Sequence, residues 1–375
     1  MLRLVESLAA HEGICWHVSW DHTGEMFATC GQDRLIKLWR CIDGKYVCVF
    51  TATEAANIHS RTIRRVAWRP DSKCLVAVSF DSTCSVWKVT VDYKLVYLTK
   101  ISGQENEVKG VCFSPCGELL ATCSRDKSIW IFDVSTLLND GVYNNVLETV
   151  SGSDDEFSVP TSPVVARLEV DVVAVLQGHS QDVKNVIFFG DSKLISVSYD
   201  DTVRIWTAIN DNWELAETLR GHSNTVWDVS VVENNTFVTV SADGSMKIWS
   251  PTQTSPSYTP AQLLKIRACT GGPLGAVSRR AVSQTWTPLT TQVTSSAVAD
   301  VPPAPIYSVH CMNALIALAC GDNTVRIYTY AQTIPVCTIK TSSEPTCVAF
   351  QPSSAQQIAV SLDEGTVGIY TVSSS

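Results

Sequence analysis

His11, Thr29 and Asp33 combine an imidazole, a hydroxyl and a carboxylate, and so do His179, Ser196 and Asp200, and again His222, Thr239 and Asp243. Such residues can form a nucleophilic relay, in which the imidazole takes the hydroxyl proton and the carboxylate orients the imidazole. A relay of that kind occurs once, in one pocket. Here the set recurs along the chain, each time with a tryptophan after it: Trp39, Trp206 and Trp249. It also decays. Gln104 and Phe132 stand for His and Trp in one copy, and Ala77 takes the hydroxyl place in another. Pro302 with Tyr328, and Thr341 with Tyr370, fill two more. Packing absorbs such losses and catalysis does not. There is no G-x-S-x-G elbow, no P-loop and no H-E-x-x-H. The glycine-rich TGGPLGA (270–276) has no lysine and reads as loop. The expectation is a protein that is not an enzyme.

The fourteen cysteines could hold a metal, but four zinc ligands usually come as two close pairs, and no C-x2-C occurs. Cys112 and Cys116 are the closest pair and have no matching second pair. Cys30, Cys84, Cys123, Cys320 and Cys347 sit within apolar, strand-like runs. They read as buried free thiols of a reducing compartment, with no metal or cofactor expected. Net charge is −9, so no overall basic field draws the chain to nucleic acid or anionic lipid. Arg3 and Glu6 make the N-terminus a poor signal peptide. No apolar run approaches the ~20 residues of a membrane helix. The expected setting is soluble and intracellular.

The elements that must position these residues repeat. GHSQDVKNVIFF (178–189) matches GHSNTVWDVSVV (221–232), and SYDDTVRIW (198–206) matches SADGSMKIW (241–249). An acid, five residues and an aromatic recur from Asp33 to Trp39, Asp81 to Trp87, Asp126 to Phe132, Asp200 to Trp206, Asp243 to Trp249 and Asp322 to Tyr328. A weaker seventh copy runs from Glu364 to Tyr370. The aromatics lie 48, 45, 74, 43, 79 and 42 residues apart. Against a ~42-residue repeat, about 30 residues are inserted after the third unit and about 35 after the fifth. Within units the hydrophobic period is two, so each is a small antiparallel sheet. The insertions, at about 139–170 and 250–301, are polar and rich in Ser, Thr, Pro and Gly. The outer strand of unit five is either AQLLKIRA (261–268) or the segment that follows at Trp286.

GH, an apolar strand, S-x-D and a strand ending in an aromatic resemble the WD-repeat family over nearly the whole chain outside the insertions. The resemblance implies an all-β, seven-bladed β-propeller with four strands per blade and one domain over residues 1–375. Residues 2–10 read as an outer strand without inner partners, and the last unit stops at YTVSSS without an outer strand. Pairing the two closes the ring. The resemblance also implies that the His, hydroxyl, Asp and Trp set is a hydrogen-bond chain that pins strands.

Two rings of residues remain unexplained by the repeat. The residue before each turn acid should lie at the rim: Gln32, Phe80, Arg125, Tyr199, Ala242, Gly321 and Asp363. Counting from the His slot, apolar residues fall at +4, +7 and +9, and the broken alternation predicts a bulge. The +5 residue should then stand at the channel mouth: Trp16, Arg64, Lys109, Lys184, Trp227, Tyr307 and Thr346. Arg64, Lys109, Arg125 and Lys184, with Phe80 and Tyr199 beside them and Trp227, Tyr307 and Trp16 opposite, form a candidate protein-binding surface. The competing reading is a solvated rim whose cations pair with Glu107 and Asp182, two positions earlier. An acidic or carboxylate-bearing peptide suits the surface best, and four cations are a small footprint for nucleic acid.

NEVKGVCFSPCGELLATCSRDKSIWIFDV (106–134) closely resembles the third blade of the cytosolic iron–sulfur assembly WD-repeat proteins. HSRTIRRVAW, HSQDVKNV, SYDDTVRIW, GHSNTVW and CGDNTVRIY fit the same family. The resemblance implies a non-enzymatic docking platform that helps deliver a preformed [4Fe–4S] cluster to cytosolic and nuclear apo-proteins. The partners it implies are a small acidic adaptor, a HEAT-repeat scaffold, a hydrogenase-like cluster carrier and the client proteins. Location would be cytoplasmic and also nuclear. Arg125 matches the arginine that this family keeps in its S-R-D-K segment. The alternative is a general scaffold, such as a ubiquitin-ligase substrate receptor or a signalling propeller.

Overall fold

Alternating β-branched and polar residues, cut by Gly, Asp and Asn turns, leave the chain one economical solution: short antiparallel sheets whose two faces are both covered. The computed structural model describes residues 2–138, 170–210, 212–232, 236–251, 286–291, 304–330, 334–353 and 356–372. They form seven four-stranded sheets arranged as a seven-bladed β-propeller. Blade one runs Cys15–Trp20, Met26–Gly31, Ile36–Ile42 and Lys45–Ala52, and the following blades repeat that meander. In blade five the outer strand is Trp286–Thr291, the later of the two candidate segments. AQLLKIRA and the rest of the two insertions lie outside the described residues.

The core is divided among the seams. Seven clusters of buried side chains each draw on two adjacent blades. The seam between blades seven and one holds Val367 and Ile369 against Val18, Trp20, Phe27 and Trp39. Leu8 and Ala10 of the N-terminal segment are buried in the same seam. The N-terminal strand Leu2–Ala9 supplies the outer strand of blade seven, with Leu2 opposite Val372 and Ala9 opposite Thr366. The backbone N–H groups of Ala10 and His11 then both donate to Gly365 O, at 3.1 and 2.9 Å. Gly365 has φ +88°, and a Cβ there would lie 2.2 Å from His11 O, so this approach requires glycine.

The repeated polar sets are hydrogen-bond chains. In blade one, Trp39 Nε1–H donates to Thr29 Oγ1 (3.0 Å), the hydroxyl donates to His11 Nε2 (2.8 Å), and His11 Nδ1–H donates to Asp33 (2.9 Å). Blades four and five repeat the order through Trp206, Ser196, His179 and Asp200, and through Trp249, Thr239, His222 and Asp243. Each hydroxyl gives one hydrogen bond and takes one, so no buried polar atom of the chain is left over. Burial alone would push the Asp200 and Asp243 carboxyls up, but the histidine bonds and the turn hydroxyls of Thr202 and Ser245 hold them well below the ordinary carboxylate range.

Blade two keeps its chain despite Ala77. Ser85 on the third strand takes the Trp87 Nε1–H at 2.7 Å and reaches His59 Nε2 at 2.8 Å. Blade three loses it: Thr122 donates to Gln104 Oε1 at 3.1 Å, the Gln104 Nε2 is buried without a partner among the described residues, and Trp130, whose Nε1–H goes to Ser128 Oγ at 3.0 Å, stacks on Phe132. In blade seven Thr341 donates to Ser343 O (2.7 Å), and its neighbour Ser342 reaches the turn acid Glu364 (2.6 Å).

Deleting residues 1–10 should destabilise the protein by about 4 kcal/mol or more, since it empties part of one seam and opens a strand edge. An unchanged melting temperature would refute the closure. Ser85→Ala and Thr239→Val should each cost about 2 kcal/mol, because each orphans an imidazole and an indole N–H. Ala77→Ser should change little. Denaturant unfolding of the three variants checks both statements.

Candidate functional site

Two devices repeated in every blade lift side chains onto one face of the ring. The first is the turn between the second and third strands. The residue after the turn acid is left-handed in all seven blades: Arg34, Ser82, Lys127, Asp201, Gly244, Asn323 and Gly365. In CSRDKSIW, Ser124 Oγ donates to Asn106 O (3.0 Å) and accepts from Asp126 N–H (3.1 Å), which leaves Arg125 at the tip. The tip backbone N–H bonds back to the loop before its own inner strand, as Arg125 does to Glu107 O at 2.9 Å. Asp363 makes the same bond to Glu344 O at 3.0 Å, so Glu364 is the turn acid of blade seven.

The second device is the bulge. Every inner strand shifts register two residues after its first apolar position, between Cys15 and His17, Ile63 and Arg65, Val108 and Gly110, Val183 and Asn185, Val226 and Asp228, Ile306 and Ser308, and Pro345 and Cys347. The skipped residues are Trp16, Arg64, Lys109, Lys184, Trp227, Tyr307 and Thr346, as the apolar spacing predicts. All seven are partly exposed.

The two rings meet because tip and bulge of one blade flank the same loop. Arg125 Nη1 lies 3.2 Å from Glu107 Oε1, and Arg61 of blade two reaches the same oxygen at 3.2 Å. Lys109 Nζ lies 2.7 Å from Asp182 Oδ2, and Lys184 Nζ lies 3.4 Å from it. The pairing of rim cations with Glu107 and Asp182 is therefore present: Lys184 meets Asp182 two positions earlier as expected, but Lys109 does not meet Glu107. Glu107 serves Arg61 and Arg125, not Lys109, and Asp182 is shared between two blades. Sequence reasoning missed Arg61, whose signal was its place in the His-slot loop beside Phe80. The Arg61 guanidinium sits 5.8 Å from the Phe80 ring, and its Nη1 donates to Phe80 O at 2.7 Å.

The aromatics fall into two groups. Trp16 meets Phe80 edge-on at 6.3 Å, with Arg64 4.9 Å from the Trp16 ring. Trp227 meets Tyr307 edge-on at 5.8 Å. Lys184 stands between, 4.9 Å from both the Tyr199 and Trp227 rings. Burial and the neighbouring Lys109 push its ammonium down to about 8, against the opposing pull of Asp182. Arg125, Arg61 and Tyr199 project furthest, with side chains of the two arginines 55% and 54% exposed and Tyr199 55% exposed overall. So four cations share two carboxylates on one face, with Arg64 beside them against Trp16 and aromatic rings at the edge.

The chain belongs to the WD-repeat family: the profile of the WD domain, G-beta repeat, matches residues 2–40, 47–88, 95–133, 171–207 and 213–250, just over half of its length. Among curated proteins it is similar to the "Probable cytosolic iron-sulfur protein assembly protein 1" of Kluyveromyces lactis. That match is 43% identical over 143 residues, covering 36% of this chain and 41% of the relative. The protein of the same name from Candida glabrata is 39% identical over 35% of this chain and 41% of its own. The "Probable cytosolic iron-sulfur protein assembly protein CIAO1 homolog" of Caenorhabditis elegans is 38% identical over 31% of this chain and 35% of its own. The chain thus covers about two fifths of the length of these relatives. No helix among the described residues is long and apolar enough to cross a membrane.

Lys184 should titrate near pH 8. Asp182→Asn should lower that midpoint further, since it removes the carboxylate that favours the charged form. Lysine side-chain NMR follows both, and a midpoint at the ordinary 10.5 in the wild-type chain would contradict the packing described.

Proposed function

We propose that this protein is a non-enzymatic docking platform in cytosolic iron–sulfur protein assembly, acting at the late step where a preformed cluster passes to apo-proteins. Relatives at 38–43% identity carry names of that process. The observation that carries the binding role is the incomplete neutralisation of the rim. Arg125 is held upright by a carboxylate that it shares with Arg61, so the pair keeps one positive charge for a partner. Lys109 and Lys184 keep another around Asp182. Arg64 makes no ion pair among the described residues and lies against Trp16.

Such a surface suits an acidic peptide. Arginine offers a planar fork to a carboxylate, and the flanking rings exclude water from the contact. Phe80 and Trp16 would take an apolar side chain beside one carboxylate, and Tyr199, Trp227 and Tyr307 would take another. The partners we infer are a small acidic adaptor and client apo-proteins on this face, with a HEAT-repeat scaffold and a hydrogenase-like cluster carrier in the same assembly. The cluster is cargo in this reading, and the setting is cytoplasmic. Its passage to nuclear clients belongs to the same proposal.

Arg125→Glu should leave the melting temperature within about 1 °C of wild type, since the side chain is mostly in solvent and surface changes are usually worth under half a kcal/mol. The same variant should lose capture of iron–sulfur assembly proteins in a pull-down read by mass spectrometry. A collapsed melt would make Arg125 structural. Unimpaired capture, or recovery of ubiquitin-ligase subunits in place of assembly proteins, would defeat the proposal.

A further inference from the structure

Below the bulges, the channel is crossed by an ion pair. Arg65 of blade two reaches Asp228 of blade five, with Nη2 3.2 Å from Oδ1. Asn185 Nδ2 donates to the same oxygen at 2.6 Å, and Val309 N–H donates to Oδ2 at 3.0 Å. Asp228 thus accepts from three donors of blades two, four and six. The pair lines a cavity of about 640 Å³ that extends to the turns between first and second strands, where Pro70, Pro115 and Pro352 edge it. None of the bulge residues at the rim lines it. It belongs to the opposite end of the channel from Arg125.

Donors outnumber acceptors around this cavity. His17 Nδ1 accepts the N–H of Val66 at 3.5 Å, and His310 Nδ1 accepts that of Phe350 at 3.2 Å. Those bonds fix each neutral ring with its proton on Nε2, and neither Nε2 has a partner among the described residues. Burial, with the fields of Arg65, Arg64 and the other imidazole, holds His17 well below its ordinary range, and burial pushes His310 down to about 4. Arg65 spends Nη2 on Asp228 and leaves Nη1 without a partner among the described residues. Its Nε is enclosed and unpaired among the described residues, and so is Asn185 Oδ1, an acceptor. Unpaired buried donors of this kind are uncommon and costly unless something accepts from them.

We propose that the lower channel is a binding site for a small molecule carrying a carboxylate or phosphate group, its oxyanion held by Arg65, His17 and His310. The volume falls within that of small-molecule pockets, which bind through a few convergent polar groups on otherwise apolar walls. Here Ala67, Cys112, Ile187 and Ala349 supply wall surface below the polar layer. Asp228 already accepts three hydrogen bonds, none of them from His17 or His310.

Calorimetric titration of the full chain with malonate, and separately with inorganic phosphate, at constant ionic strength tests the proposal. Saturable one-to-one binding is expected for at least one probe, and the tighter of the two assigns the oxyanion. Arg65→Lys keeps a cation opposite Asp228 but loses the fork, and should weaken binding about ten-fold or more. Ala67→Leu narrows the cavity without touching the polar layer and should abolish binding. Thermal melting of both variants separates lost binding from lost fold. Absence of saturable binding to the wild-type chain, or affinity unchanged in both folded variants, overturns the proposal.

Discussion

Everything in this protein depends on a ring that must close. A single blade cannot bury both of its faces, so every core cluster is shared between two neighbours. Had blade seven no outer strand, Leu8 and Ala10 would be missing from its seam with blade one, and the weakness would be felt around the whole circle. The closing contact is backbone on backbone, with two N–H groups on the carbonyl of Gly365. That is why a glycine stands there and why the N-terminal strand cannot be treated as a tail.

Closure also explains how an ordinary repeat can carry a specific surface. The His–hydroxyl–Trp chains and the turn acids hold the loops of each blade in one geometry. Some tip and bulge side chains still brace the loops, as Gln32 Oε1 does by accepting Ile14 N–H and Thr346 Oγ1 by donating to Cys15 O, and others stand in solvent. Arg125 and Tyr199 are examples of the latter: their backbones are bonded, and their side chains are more than half exposed. Their charge and shape can be chosen for a partner. Blade three, which gives up its polar chain at Gln104 and Phe132, is the blade that presents Arg125. Its strands are held by Ser124, Asp126 and the stacked Trp130 and Phe132 instead.

Much of this was legible in the sequence, for identifiable reasons. The blade count followed from the acid-to-aromatic spacing, and the bulge ring followed from the break between +4 and +7, because both are local periodicities. What was not legible depends on contacts between blades or strands. Ser85 replaces the hydroxyl missing at Ala77 because a neighbouring strand offers the same position to His59. Lys109 reaches Asp182, which lies 73 residues away on the next blade, not Glu107 two residues away. Arg65 and Asp228 are 163 residues apart and meet only because the ring brings blades two and five across one channel. The outer strand of blade five gave two equal candidates in sequence, since either is a short run that a polar strand could pair with.

The rim and the channel finally differ in how their charges are balanced, and this decides what each can hold. At the rim, cations exceed carboxylates and stand partly in water, so a partner's acid is attracted without a large desolvation cost. Salt will screen that attraction. Across the channel, Arg65 and Asp228 are matched and buried, so net charge attracts nothing. Recognition there must come from unpaired N–H groups of fixed direction, which read shape and acceptor geometry. In the proposed reading, the rim would select a macromolecule by charge and exposed aromatic area, and the channel a small group by hydrogen-bond geometry. The bulged Arg64, Lys109 and Lys184 belong to the rim and none of them lines the cavity, so either surface could be altered without rebuilding the other.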